Sequence, residues 1–173
     1  MIPVILVHGG AGDVPDERIP AKILGVKKSV EIGYRILKNN GTAVDAVEAA
    51  VKYMEDGEAF NAGYGSVLNL DGEVEMDASI MKTPHLLLAG VGANRFAKEQ
   101  GIPTVSPGRL VTKYAQIALQ QFKARGGDDR TEVGHNNPGD VGTVGAVALD
   151  SKGNLAAATS TGGHKWENGG KKQ

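Results

Sequence analysis

Apolar positions change period several times along this chain, and each change predicts an element. Residues 4–7 form a continuous apolar run that empties into His8-Gly9-Gly10-Ala11-Gly12. A short β-rich run ending in glycines predicts a buried strand followed by a tight loop. Over residues 18–37, Ile19, Ile23, Val26, Val30, Ile32 and Ile36 recur at mostly helical spacing. Asn39-Asn40-Gly41 then stops the helix, because Asn and Gly tolerate the left-handed conformation that ends one. Thr42 follows as an N-cap, with Asp45 three positions on in place of the usual Glu. Val44, Val47, Val51 and Met54 line one face of a second helix, widened by Ala43, Ala46 and Ala50. Those small alanines predict close packing against a sheet.

Asp71-Gly72 reads as a hairpin turn between arms at 66–70 and 73–81. In the second arm Val74, Met76, Ala78 and Ile80 alternate with Glu75, Asp77 and Ser79, as a half-buried strand requires. Residues 83–101 are less regular and hold one short helix through Lys98. Residues 110–124 read as another helix, with Leu110, Tyr114, Ile117, Ala118 and Phe122 toward its buried face. The polar, glycine-rich stretch 126–141 reads as a mobile linker. It runs into the best-patterned strand pair in the chain: 143–149, a turn at 150–154, and 155–161 returning. The tail, 162–173, predicts no element.

Composition narrows the class. At 173 residues, 40% hydrophobic and 23% charged, the chain suits one globular domain with a true core. A formal net charge of −1 gives no electrostatic footprint for nucleic acid or an anionic membrane surface. The absence of cysteine excludes disulfides, thiolate metal ligands and a Cys nucleophile together. The N-terminal apolar run has no basic segment before it, and no run approaches membrane-spanning length. A soluble, cytoplasmic protein is expected.

The chemistry concentrates where the linker meets the strand, at Gly142-Thr143. On spacing alone, a loop with a Thr at a strand edge explains the junction more readily than catalysis does. The functional reading is self-cleavage: the Thr143 hydroxyl attacks the Gly142 carbonyl, and an N→O acyl shift followed by hydrolysis frees a new N-terminus. Such an α-amine has an ordinary pKa of about 7.7–8.0, so a neutral fraction is available to act as base for its own hydroxyl. A glycine before the nucleophile leaves the attack unobstructed. In a hairpin turning at 150–154, positions 143 and 161 fall opposite each other, which brings the Thr161 hydroxyl beside Thr143; Thr159 and Ser160 read equally as ordinary strand formers.

Five blocks in order carry a resemblance: HGGAG at 8–12, GTAVDAVEAAV at 41–51, FNAGYGSVLN at 60–69, GEVEMDASIM at 72–81 and GTVGAVALDSKGNLAAATSTGG at 142–163. Together they resemble the plant-type L-asparaginase/isoaspartyl peptidase family, most closely its cytosolic, asparaginase-like animal members. The resemblance implies an α+β fold, the four-layer αββα sandwich of the N-terminal-nucleophile hydrolases. It implies an N-terminal subunit region at 1–142 and the start of a C-terminal one at 143–173. Thr143 would be nucleophile and base, Thr161 the supporting threonine, and Asn61 the asparagine beside the nucleophile. His8, Gly9 and Gly10 would form a loop that affects maturation. Carbonyls of the Glu58, Ala59, Phe60 and Asn61 loop would hold a structural monovalent cation, usually sodium. L-Asparagine and isoaspartyl dipeptides are the implied substrates, and an α/β heterodimer that itself dimerises is the implied assembly. Two other readings of HGGAG stand beside this: a phosphate nest, disfavoured because no Lys-Ser/Thr follows, and a loop that His8 only anchors. With no second ligand at metal spacing from His8, a catalytic metal is not expected.

The chain departs from the family pattern twice. Met81 abuts Lys82 where the family carries a further glycine-alanine strand and helix. After Gly163, HKWENGGKKQ stands where the family has a GRVGDSP-like clamp for substrate carboxylate and amine, and later a TTGHGE-like segment for the oxyanion. An oxyanion donor contributes roughly 3–4 kcal/mol to such a reaction. The alternative expectation is therefore an inactive, truncated form that at most associates with full-length subunits. Glycosylasparaginase, a secretory relative, fits less well with the missing signal sequence and cysteines.

Overall fold

The computed structural model describes residues 1–11, 14–80, 90–124 and 142–163. Four strands, β1 (Val4–His8), β2 (Asp77–Ile80), β3 (Val144–Leu149) and β4 (Leu155–Thr161), form one antiparallel sheet in the order β1-β3-β4-β2. The linker expected at 126–141, the Lys82 junction and the tail beyond Gly163 lie outside the described residues. The α+β class holds, with one sheet and one helical layer among the described residues.

The helical layer is α1 (Ile19–Lys38) and α2 (Ala43–Glu55). The bend between them follows local chemistry. Asn40 takes the left-handed conformation at φ 61°, and the Gly41 amide donates to the Ile36 carbonyl at 2.9 Å, closing a Schellman turn. Thr42 then caps α2, accepting from the Asp45 amide at 3.1 Å and donating to its carboxylate at 2.7 Å. The alanine-rich face of α2 lies on β3 and β4, whose inward residues are Val144, Ala146, Ala148, Ala156 and Ala158. Small residues on both sides bring helix and sheet close. Leu37, Val47, Met54 and Phe60 fill the remaining space, each about 1.5–3 kcal/mol of apolar burial.

Three expectations need correction. The buried face of α1 is Lys22, Gly25, Ser29, Gly33 and Leu37, whereas Ile19 and Ile23 are exposed. The reason is steric: α1 crosses α2 so closely that a Cβ at Gly33 would lie 2.9 Å from the Ala46 carbonyl oxygen. Residues 66–70 do not form a strand; Asn69 folds back on Asp71 and Glu73, and β2 pairs with β4 instead. The helix expected at 110–124 is α4 (Lys113–Ala124), after α3 (Gly90–Glu99) and a 3-10 turn at Pro107–Leu110. Thr112 caps α4, Ala115 and Leu119 are its buried residues, and Ile117 is exposed.

The β3–β4 turn is built around Asp150. Its carboxylate accepts from the Lys152 amide at 2.9 Å, the Asn154 amide at 3.0 Å and the Asn154 side chain at 2.9 Å. It also accepts from the Ala43 amide at the start of α2, at 3.3 Å. The side chain is buried beneath its own turn. These donors, the Asn154 side chain first, hold the Asp150 carboxyl at a pKa of about 2.

Two outcomes follow. Gly33→Val forces the helices apart and lowers stability by about 1–3 kcal/mol, measured by urea unfolding. Because the folded pKa of Asp150 is depressed, its contribution is complete above the ordinary carboxylate value of 3.8 and fades as pH falls toward about 2. Unfolding titrations across that window show this loss in the native chain, and Asp150→Asn removes that component.

Candidate active site

The hairpin register decides which residues meet. In β3 and β4, Val144 pairs with Ser160 and Gly145 with Thr159. One further step along that register places Thr143 opposite Thr161, and Thr161 in turn pairs with Asp77 of β2. Val144 and Ser160 point into the helical layer and are buried. The alternation therefore turns Thr143 and Thr161 to the opposite, open face of the sheet. Both are half-buried. The Thr161 hydroxyl accepts from the Gly163 amide at 3.2 Å, and Thr159 donates to the Val144 carbonyl at 3.0 Å.

The glycine loop comes to the same place. β1 pairs with β3 so that His8 stands opposite Gly145, and the His8 imidazole lies over that glycine. The chain then turns through Gly9 and through Gly10, whose φ of 108° suits glycine alone. A Cβ at Gly142 would lie 2.8 Å from the Gly10 α-carbon and 3.0 Å from Ala11 backbone atoms. The residue before Thr143 is thus seated directly on the loop, separated from it by some 130 positions in sequence.

Asn61 holds the far end of β4. It is 2% exposed, donates to the Gly163 carbonyl at 3.0 Å and accepts from the Val67 amide at 3.0 Å. Its own carbonyl accepts from the Gly162 amide at 3.0 Å. Gly162 has no room for a side chain: a Cβ there would lie 2.6 Å from the Ser66 hydroxyl. Among the described residues the buried Ser66 hydroxyl has no hydrogen-bond partner, and the buried Ser160 hydroxyl lies near the Glu55 carboxyl. Burial pushes the Glu55 carboxyl above the usual carboxylate range, an effect the nearby Ser160 hydroxyl opposes.

At the loop after α2, a Cβ on Gly65 would collide with the Phe60 carbonyl and lie 3.0 Å from those of Gly57 and Glu58. The Glu58 carbonyl accepts from the Arg18 guanidinium at 2.6 Å, and that guanidinium stacks on Tyr114 at 4.1 Å. Among the described residues, no group of His, Asp and Glu is arranged to hold a metal ion. Likewise, no described helix is long and apolar enough to cross a membrane.

Sequence reasoning missed Lys22, Ser66 and Asp150. Asp150 was legible in principle, since an Asp opening Asp-Ser-Lys-Gly-Asn is an Asx-turn pattern. Lys22 and Ser66 carry no local signal, because their burial depends on contacts with distant segments.

A sequence model of the asparaginase family matches residues 1–83 and 81–171. The isoaspartyl peptidase/L-asparaginase of Danio rerio is 44% identical over 191 residues, covering 94% of this chain and 60% of its own length. Proteins of the same name from Bos taurus and Homo sapiens are 44% and 43% identical, covering 94% of this chain and 61% of theirs. The chain therefore spans about three-fifths of the length of these curated relatives. The 191 aligned positions outnumber the 173 residues here, so the Danio protein has internal residues that this chain lacks. The two family matches meet at 81–83, where Met81 abuts Lys82.

Asn61→Ala leaves the Gly163 carbonyl and the Val67 amide without partners in a buried setting. Stability falls by about 1–3 kcal/mol in urea titration, and amide protection is lost first at Gly162 and Gly163.

Proposed function

This chain belongs to the asparaginase family, and on that premise we propose that it carries the self-cleavage junction and nucleophile of a hydrolase acting on L-asparagine and β-aspartyl peptides. The observation that carries this reading is the convergence at Thr143. Gly142 is seated on the Gly10–Ala11 loop, and the strand register sets Thr161 beside Thr143.

In the first stage the Thr143 hydroxyl attacks the Gly142 carbonyl carbon, and its proton passes to the departing amide nitrogen. The peptide becomes an ester, and water then releases the Gly142 carboxylate and a free Thr143. In the second stage the α-amine takes the hydroxyl proton as that oxygen attacks the side-chain carbonyl of the substrate. The amine returns the proton to the leaving nitrogen, which departs as ammonia or as the amine of a peptide. The β-aspartyl ester left on Thr143 is cleared by water. Thr161 orients the nucleophile from the neighbouring strand, and Asn61 holds the end of that strand in place.

A structural monovalent cation, held by backbone carbonyls of the Glu58, Ala59, Phe60 and Asn61 loop, belongs to the same proposal, since oxygen donors of this kind suit a hard cation. The sandwich is the finer fold proposal. Val4, Leu6, Val147 and Leu155 expose an apolar sheet face opposite the helices, suited to a second sheet about 10 Å away. That open face also supports a second reading, in which the chain acts by associating with longer chains of the family as part of their paired α/β assembly.

Intact mass spectrometry of the purified chain separates the two. A fragment beginning at Thr143 is expected, with release of ammonia from L-asparagine, and Thr143→Ala abolishes both. An uncut chain without turnover removes the hydrolase reading for this polypeptide and leaves the association reading.

A further inference from the structure

We infer that Lys22 is the residue that fixes the glycine loop against the cleavage junction, a positioning role in the proposed self-cleavage. The inference rests on reading Gly142-Thr143 as the maturation bond. Lys22 lies on the inner face of α1 and is only 8% exposed. Burying an ammonium is costly unless hydrogen bonds compensate, and an apolar residue would pack there at less cost. Its placement therefore calls for polar contacts that a Leu or Met cannot make.

One such contact is with the loop itself. Lys22 Nζ donates to the Gly9 carbonyl at 3.3 Å and lies 5.4 Å from the centre of the Phe60 ring. Gly9 is confined from below as well, since a Cβ there would lie 2.8 Å from both Phe60 and Val26. The Phe60 ring is itself pressed against Gly25, where a Cβ would lie 2.6 Å from ring carbons. Because the peptide unit is planar, holding the Gly9 carbonyl also sets the direction of the Gly10 amide and the entry into its left-handed turn. Gly10 and Ala11 are the residues that touch Gly142. A continuous line of contact thus runs from the Lys22 ammonium through the Gly9–Gly10 peptide to the residue whose carbonyl is attacked. Self-cleavage needs that carbonyl within reach of the Thr143 hydroxyl, and small displacements of such a pair slow reaction steeply.

The test compares Lys22→Met, which keeps an unbranched stem and removes the donor, with Lys22→Arg, which restores one. Both are made in the full chain, and amide exchange at residues 9–11, thermal stability and the rate of appearance of the Thr143 fragment are followed. Expected for Lys22→Met is exchange at 9–11 faster by about tenfold, the scale of one charged hydrogen bond, with cleavage slowed to a similar degree. Lys22→Arg recovers much of both, and the melting temperature of Lys22→Met does not fall. Unchanged exchange at 9–11 overturns the inference, as does cleavage at the native rate in Lys22→Met. Faster exchange throughout the core with a lowered melting temperature overturns it too, because that is the signature of a packing role alone. If the native chain never cleaves, the maturation reading fails by itself, while exchange at 9–11 still decides whether Lys22 holds the loop.

Discussion

A one-residue slip in the β3–β4 hairpin would put Thr143 and Thr161 on opposite faces of the sheet and turn one strand's inward alanines, Ala146 and Ala148 or Ala156 and Ala158, out of the core. The site depends on that register more than on any single contact. Two features hold it. The alternation of small apolar residues makes one face the only acceptable core, and Asp150 closes the turn by accepting from Lys152 and Asn154. The same carboxylate accepts from the first amide of α2, so the hairpin is also anchored to the helix it packs on.

Close approach is the second constraint, and glycine and alanine meet it. Gly33 allows α1 to cross α2, Gly9 and Gly25 allow the Phe60 ring between loop and helix, and Gly10 and Gly142 allow two backbones to touch. Each of these contacts narrows the freedom of the junction before Thr143. Larger side chains would bury more apolar surface at these points, but would move the loop away from the strand. Phe60, buried between Gly9 and Gly25, is the large side chain these glycines admit.

Polar groups inside this framework divide by whether partners reach them. Asn61 satisfies both ends of its amide and ties Gly163 to Val67, which stiffens the exit from β4. Among the described residues the buried Ser66 hydroxyl finds no partner, whereas Ser160 lies near a Glu55 carboxyl whose pKa burial raises and this hydroxyl lowers. Ser160 faces the helical side of the sheet, one residue before Thr161 in β4.

What the sequence by itself determined were the features with short-range causes. The two helices joined by Asn-Asn-Gly, the Thr42 cap and the β3–β4 pairing all arise from side-chain period and turn chemistry within a few residues. That pairing was enough to set Thr143 opposite Thr161. Tertiary structure alone decided the rest. Residues 73–81 have a strand's alternation, but which segment they pair with depends on which edge is free; β4 offered one to 77–80, while Glu73 bonds back to Asn69. The apolar spacing of α1 pointed to Ile19 and Ile23, yet the crossing of α2 selected the face with Gly25, Ser29 and Gly33. The seating of Gly142 on Gly10, and of Lys22 beneath Gly9, joins segments distant in the chain. No local pattern encodes such contacts, because their energy exists only once the sheet and helices have packed.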